Sequence, residues 1–229
     1  MSKSVPKSQY SINFDIGATN IRANLPLDGK NTKAIRVKTP SNQRSFVVII
    51  KKIINKLSHN HAICKINIGI AGVISGYKVA KSSIIYLKNF DFKKIIPLNI
   101  ELLVDNDARM FLRLAISTFK LNKAKRVLAF TIGTGIGRAY AENGQVQKIK
   151  LFEHAEKWEG NYQAWRFKNP KIVAEFLIKN LLPIIHKYQP QIIVFGGGVI
   201  KNKVGLVSAL RTSLRALKVK SKLIFWTPK

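Results

Sequence analysis

Two aspartates in this chain stand where an acidic side chain can do more than solvate a surface. Asp15 closes the alternating apolar run Ser11 to Asp15 and is followed by the small-residue turn Gly17-Ala18-Thr19-Asn20. Asp107 ends Asp105-Asn106-Asp107, directly after the apolar Leu102-Leu103-Val104 and before a helical pattern from Ala108 to about Phe119. Glycine lets the backbone approach an anion and aim successive amides at it, and Thr19 adds a hydroxyl donor. The same pattern returns as Gly133-Thr134-Gly135-Ile136-Gly137 and as Gly196-Gly197-Gly198, each after an apolar run. Phosphate is the natural occupant of such turns. Phosphoryl transfer to a hydroxyl requires positioning, charge stabilisation by Mg²⁺ and donor groups, and one base to take the hydroxyl proton. Asp107 is placed for the base, with Asn106 able to bond a neighbouring hydroxyl. Asp15 suits the hydration shell of Mg²⁺, which keeps several waters and takes one or two carboxylates. Each assignment has a plainer alternative: a helix N-cap for Asp107, a turn cap for Asp15, and ordinary connections for the glycines.

The elements that must hold these residues alternate between strand and helix. Ser11 to Asp15 and Ile21 to Leu25 read as strands, and a polar turn at Asp28-Gly29-Lys30 leads into a third, Thr32 to Val37. Phe46, Ile49, Ile50, Ile53, Ile54 and Leu57 recur at helical spacing, with Ser41 or Ser45 available as the cap. Strands follow at Cys64 to Ile70 and Leu102 to Val104. The pattern then restarts with strands Arg126 to Thr131 and Arg138 to Ala141 and an Asn143-Gly144 turn of the kind that needs positive φ. A helix from Pro170 to Tyr188, a strand from Gln191 to Phe195, a helix from about Ile200 to Leu217 and a strand from Lys222 to Trp226 complete the chain. Two meander-plus-helix halves imply two similar layered domains, residues 1–107 and 108–229, facing one another across a cleft.

Bulk properties narrow the classes. A length of 229 residues with 46% hydrophobic content allows one large core or two small ones. The chain has no run approaching the roughly 18 apolar residues of a membrane span, and Met1 to Tyr10 lack the apolar run of a secretory signal, so a cytoplasmic protein is expected. Cys64 is the single cysteine, which excludes an intramolecular disulfide and a thiolate-rich cluster, so no structural zinc is expected. Forty Lys and Arg against eleven Asp and Glu give a formal charge of +29. That balance permits nucleic acid as a partner, yet the basic residues are spread along the length without a groove-reading module. His59, His61 and His186 show no ligand spacing.

The quoted motifs resemble those of the ROK group of sugar kinases and sugar-sensing repressors, within the hexokinase and actin-like ATPases, and the likeness runs over nearly the whole chain. Asp15-Ile-Gly17-Ala-Thr19-Asn20-Ile-Arg22 resembles the first phosphate motif, with Ala18 where a glycine is usual. Gly69-Ile-Ala-Gly72-Val-Ile is similar to the loop beside the sugar, with Ala71 where proline is usual, and Asp105-Asn106-Asp107-Ala108 resembles the signature that carries the catalytic base. Gly133-Thr134-Gly135-Ile-Gly137 resembles the second phosphate motif, and Pro190 to Gly198 the adenosine-binding segment. The resemblance implies an α/β protein of two actin-like ATPase (ribonuclease H-like) domains, with mixed sheets flanked by helices around an interdomain cleft. It implies ATP and Mg²⁺ as cofactors, with Asp15, Gly17, Thr19, Asn20, Gly133, Thr134, Gly135 and Gly196 to Gly198 on the nucleotide. Gly72, Asn106, Asp107, Glu153 and His154 are implied on the sugar.

Departures from the pattern cluster between residues 138 and 165. The zinc cysteines of the family are absent, His154 follows Glu153 immediately instead of three residues later, Gln163 falls where a further glutamate is usual, and Arg138 replaces a glycine. A solvated charged loop is the plainer reading of Glu153, His154, Glu156 and Glu159. The expected function is ATP-dependent phosphorylation of a hexose or N-acetylated hexosamine, a phosphotransferase to an alcohol group. The alternative is a catalytically degenerate sugar or nucleotide sensor; a repressor would need a helix-turn-helix ahead of Asp15, where only fourteen residues stand. A nucleic-acid-associated ATPase is the third class, permitted by charge alone. Sugar and ATP are the expected partners, with no membrane, and a homodimer is left open.

Overall fold

The computed structural model describes residues 9–27, 30–31 and 34–227. Ile12, Phe14 and Ile16 alternate along the first strand, β1 (Gln9–Ile16), and are buried on one face, as a period of two requires. β2 (Asn20–Asn24) pairs antiparallel with β1. The two-residue strands β3 (Pro26–Leu27) and β4 (Lys30–Asn31) form a small ribbon, and β5 (Ile35–Lys38) adds antiparallel to β2. The expected turn residues Asp28 and Gly29, and Thr32 of the expected third strand, lie outside the described residues. Helix α1 (Gln43–Ser58) buries the anticipated stripe of Phe46, Ile50, Ile53 and Ile54. Its cap is neither Ser41 nor Ser45. Asn42 sits in extended backbone directly before the first turn, and its side chain accepts from the Ser45 amide at 2.9 Å.

β6 (Ala62–Ile70) runs parallel to β1. The stretch Gly69 to Ile74, expected as a loop, lies instead in the end of β6 and in β7 (Gly72–Ser75), which forms a hairpin with β8 (Lys78–Ser82) turned at Gly76; single helical turns follow at Ile85–Leu87 and Phe92–Lys94. β9 (Glu101–Asn106) returns parallel to β6, giving the sheet order β5-β2-β1-β6-β9. The apolar face of this sheet carries the core with α1. The row Asn24, Asn13 and Asn67 lies on the opposite face, linked by amide hydrogen bonds of 3.3 and 2.8 Å.

Helix α2 (Asp107–Thr118) begins one residue earlier than expected. Beyond it, β10 (Arg126–Ile132), β11 (Ile136–Glu142) and β12 (Gln145–Gln147) form an antiparallel meander whose second turn is Asn143-Gly144, with φ of 50° and 77° as the sequence demanded. Helix α3 (Lys157–Trp165) was not anticipated. Helix α4 (Pro170–Tyr188) has the expected ends: Asn169 caps the Ile172 amide at 3.0 Å, and Gln189 in left-handed backbone stops it. β13 (Ile192–Gly196) follows. In place of the single expected helix from Ile200 to Leu217 there are two, α5 (Gly198–Asn202) and α6 (Leu206–Ala216), because Gly205 at φ +83° breaks the ladder between them. β14 (Lys222–Phe225) completes a second sheet, β12-β11-β10-β13-β14.

By its internal contacts the chain divides into two compact units, Met1–Asp107 and Ala108–Pro228. The second unit buries apolar side chains on both faces of its sheet. Leu128, Phe130, Ile193 and Phe195 pack with α4 and α6, whereas Val127, Ala129 and Val194 pack with α2. None of the helices among the described residues is long and apolar enough to cross a membrane.

Candidate functional site

In the first unit the sheet register does the assembling. Asp15, Gly69 and Asp105 pair across β1, β6 and β9, as do Ile16, Ile70 and Asn106, so the three parallel strands end abreast. Ligands of α/β sheets gather at such carboxyl ends. The turn after Asp15 is closed by the Gly17 amide on the Asn20 carbonyl at 3.0 Å. Thr39, just past β5, fixes it from outside: its hydroxyl donates to the Gly17 carbonyl at 2.6 Å and its amide to the Thr19 carbonyl at 3.1 Å. Ala18 and Thr19 are left exposed. The Asn20 side chain accepts from Arg36 at 3.2 Å.

Asp15 lies 3.6 Å from Arg22, with both side chains more than half exposed, so the pair adds little. Desolvation raises the Asp15 carboxyl above the usual aspartate range, and Arg22 pulls it partly back. An accessible carboxylate that gives up its proton reluctantly is well matched to a cation. Asp105 and Asn106 are buried, and the Asn106 amide donates to Asp105 Oδ1 at 2.8 Å. The Asn106 side chain then donates to the Gly72 carbonyl at 3.0 Å, which joins two of the residues expected on the sugar. Gly72 can be nothing else: at φ +153° a Cβ there would lie 2.1 Å from the Lys81 carbonyl oxygen. Asp107, half-buried, opens α2 one residue further on.

In the second unit both glycine loops stand at the carboxyl ends of β10 and β13, which pair in parallel as far as Thr131 and Gly196. They touch, since a Cβ on Gly197 would fall 2.5 Å from the Ile132 carbonyl oxygen. Two of the three consecutive glycines are explained by packing: Gly197 also has φ +98°, and a Cβ on Gly196 would strike the Phe111 ring at 2.3 Å. Gly135 and Gly198 are different. A Cβ on either would meet nothing within 4 Å, and one on Gly133 nothing closer than 3.9 Å, so the protein itself does not require their smallness.

The stretch from Glu153 to Gln163 departs most from expectation. Its acids do not form a solvated loop. Glu153 Oε1 lies 2.5 Å from Arg109 of α2, with both side chains about 5% exposed or less. Arg138, from the middle of β11, is buried and reaches the carboxylates of Glu156 and Glu159 and, at 2.9 Å, the carbonyl of His154. Burying a guanidinium is tolerable only with such partners. Glu156 and Glu159 also form a capping box that starts α3. The carboxylate of Glu153 is therefore engaged by Arg109, and the His154 ring is exposed. Arg109 and Tyr162 were missed in the sequence, and Arg138 was noted only as standing in place of a glycine, without its carboxylate partners. The Glu156-Lys-Trp-Glu159 spacing was the one signal that could have found α3, and Arg138 within an otherwise apolar strand was a signal of buried charge.

Solved structures share this fold of mixed sheets flanked by helices. A ROK family glucokinase from Streptomyces griseus, in complex with glucose and AMPPNP, matches with a TM-score of 0.77 at 16% identity, covering 94% of each chain. An inorganic polyphosphate/ATP-glucomannokinase from Arthrobacter sp. strain KM matches with a TM-score of 0.72 at 20% identity, over 95% of this chain and 92% of that one. A ROK family transcriptional regulator, a homologue of the E. coli MLC protein, matches with a TM-score of 0.68 at 13% identity, over 95% and 74%. At these identities the likeness shows the fold. The sequence itself matches the ROK family over residues 11–156, well over half the chain, and the protein belongs to that family. No curated protein matches it.

Proposed function

We propose that the protein is an ATP-dependent sugar kinase that phosphorylates a hexose or N-acetylated hexosamine, with Asp107 as general base. The observation that carries this reading is the juxtaposition at one sheet edge of Asp15, the Asn106–Gly72 bond and Asp107, in a chain of a family that includes sugar kinases. Asp107 accepts the proton of the attacking hydroxyl. Asn106 and Gly72 shape the wall beside that hydroxyl. Asp15 would hold the hydration shell of Mg²⁺, which supplies charge neutralisation to the phosphates. Thr19 and the turn from Gly17 to Asn20 are assigned to phosphate through amides and hydroxyls, Gly133 to Gly135 of the second unit are assigned likewise, and within that unit Gly198 leaves room for the rest of the nucleotide. Because Glu153 is paired with Arg109, it acts on the sugar only by way of that guanidinium, and His154, whose carbonyl is taken by Arg138, has its exposed ring to offer.

The test is ADP release from Mg-ATP with a panel of hexoses and N-acetylated hexosamines. Sugar-dependent turnover is expected to fall about 10²- to 10⁴-fold in Asp107→Ala with folding intact, the usual range for loss of a general base. ATP binding with no turnover on any sugar would sink the kinase reading and leave a sensor, the role favoured by the buried Arg109–Glu153 pair.

A further inference from the structure

The loop Gly133-Thr134-Gly135 is held from one side only. The Tyr162 hydroxyl donates to the Gly133 carbonyl at 3.1 Å, and the Gln163 side-chain amide donates to the Thr134 carbonyl. The loop closes on itself through the Gly133 amide and the Gly135 carbonyl at 3.0 Å, and the Ile136 amide meets Glu159 at 3.4 Å. All three carbonyls of the loop are thus occupied, as are the amides at its two ends. The amides of Thr134 and Gly135 have no acceptor among the described residues, and both residues are exposed.

The geometry of the peptide group turns this into a statement about direction. In a trans peptide the carbonyl and the following N–H point to opposite sides of the chain. No described peptide is cis. A Gly133 carbonyl drawn to Tyr162 therefore sends the Thr134 N–H away from α3, and a Thr134 carbonyl drawn to Gln163 does the same for the Gly135 N–H. We infer that Tyr162 and Gln163 are positioning residues: by capturing two carbonyls they turn two successive amides outward as a phosphate-binding pair. Adjacent outward amides are an anion-binding arrangement.

Two features make α3 able to impose this. Its first turn is anchored to β11 by Arg138 through Glu156 and Glu159, so the helix does not slide relative to the loop. Tyr162 is fully buried, and desolvation raises its hydroxyl to about 12, which keeps it a donor throughout the neutral range. A buried hydroxyl needs a partner, and that of Tyr162 is the loop itself, whereas Gln163 holds the loop from the exposed side of α3.

The inference rests on the ATP-binding reading for its biological meaning, so the test has one arm that depends on ATP and one that does not. In the first, affinities for ATP and for adenosine are measured by calorimetry on the wild type and on Tyr162→Phe with Gln163→Ala. ATP binding should weaken about tenfold, in line with the loss of two hydrogen bonds that orient the phosphate donors. Adenosine binding should change less than twofold. Equal weakening of both ligands, or of neither, would overturn the inference. In the second, residual dipolar couplings of the Thr134 and Gly135 N–H bonds are measured on nucleotide-free, isotope-labelled protein. They should report one fixed direction in the wild type and shrink toward averaged values in the variant; unchanged couplings would overturn the inference. A wild type that binds no ATP sinks the kinase reading, and the couplings still decide this one. If the double variant does not fold, Tyr162→Phe alone keeps the ring in place and gives the same two readouts at Thr134.

Discussion

The two units hold similar turns by unlike means. In the first, the turn from Gly17 to Asn20 is set by sheet register and by Thr39, a short uncharged side chain on the neighbouring strand's exit. In the second, the turn from Gly133 to Gly135 is set by a separate helix, and that helix is in turn fixed by a buried guanidinium with two carboxylates. The sheets differ in the same sense. One has an apolar face toward α1 and an asparagine row on the other, whereas the other sheet is apolar on both faces. A turn held by backbone and register tolerates surface change. A turn held through buried charge depends on every member of the cluster.

Three substitutions can break or sharpen that contrast. The largest effect is expected for Arg138→Met, which leaves Glu159 buried without its cation; loss of one partner from a buried pair costs about 3–5 kcal/mol. Denaturant unfolding measures it, and adding Glu156→Gln and Glu159→Gln to Arg138→Met should recover most of the loss. If the single variant unfolds like the wild type, the second unit does not depend on the cluster and the contrast fails. Thr39→Val should cost about 1 kcal/mol, the net value of one hydrogen bond, and should loosen only the turn from Gly17 to Asn20. A weaker affinity for Mg-ATP with the Gly133–Gly135 amide signals unchanged would separate the two turns by nuclear magnetic resonance.

The smallest effect on stability is expected at Asp15. Its folded-state carboxyl binds a proton more readily than the ordinary value of 3.8 implies, so the folded state holds the extra proton between that value and the raised one. Stability therefore rises as pH falls through this window, and the ionised form present at neutral pH carries a cost. Asp15→Asn should raise Tm slightly at pH 7, with the difference fading as the pH approaches 3.8, while Mg²⁺-dependent activity is lost. A lower Tm at pH 7 would show that the Arg22 pair outweighs desolvation.

How much could be read without coordinates follows the same divide. Strand β1 and its turn, α1 apart from its cap, β9 with Asp107, and the span of α4 were legible, because alternation and helical spacing act locally, whereas the Asn42 and Asn169 caps were not read. The hairpin of β7 and β8 was not, since few apolar residues mark it and its defining constraint is the approach of the Lys81 carbonyl to Gly72. The break at Gly205 was overlooked because a lone glycine in a helical pattern is usually tolerated. Around the second turn the failure was of another kind. Glu153, Glu156 and Glu159 resembled a charged surface loop, and only knowledge of Arg109 and Arg138, at separations of 44, 18 and 21 residues, turns them inward. The glycines divided likewise: Gly196 and Gly197 answer to packing, while a Cβ on Gly133, Gly135 or Gly198 would meet no close neighbour.

The inward turn of those three glutamates also reaches beyond the fold, into the speed of encounter. With them engaged by guanidinium groups, the second unit presents Glu142 and Glu175 as its exposed acids, and no acidic residue follows Glu175 in the chain. A surface so poor in negative charge, on a chain of formal charge +29, projects an attractive field toward an approaching nucleotide anion. Added salt contracts that field to within about 8 Å at physiological strength. If the proposed kinase reading holds, capture of Mg-ATP should therefore be fast and steeply slowed by salt, whereas its release should hardly change.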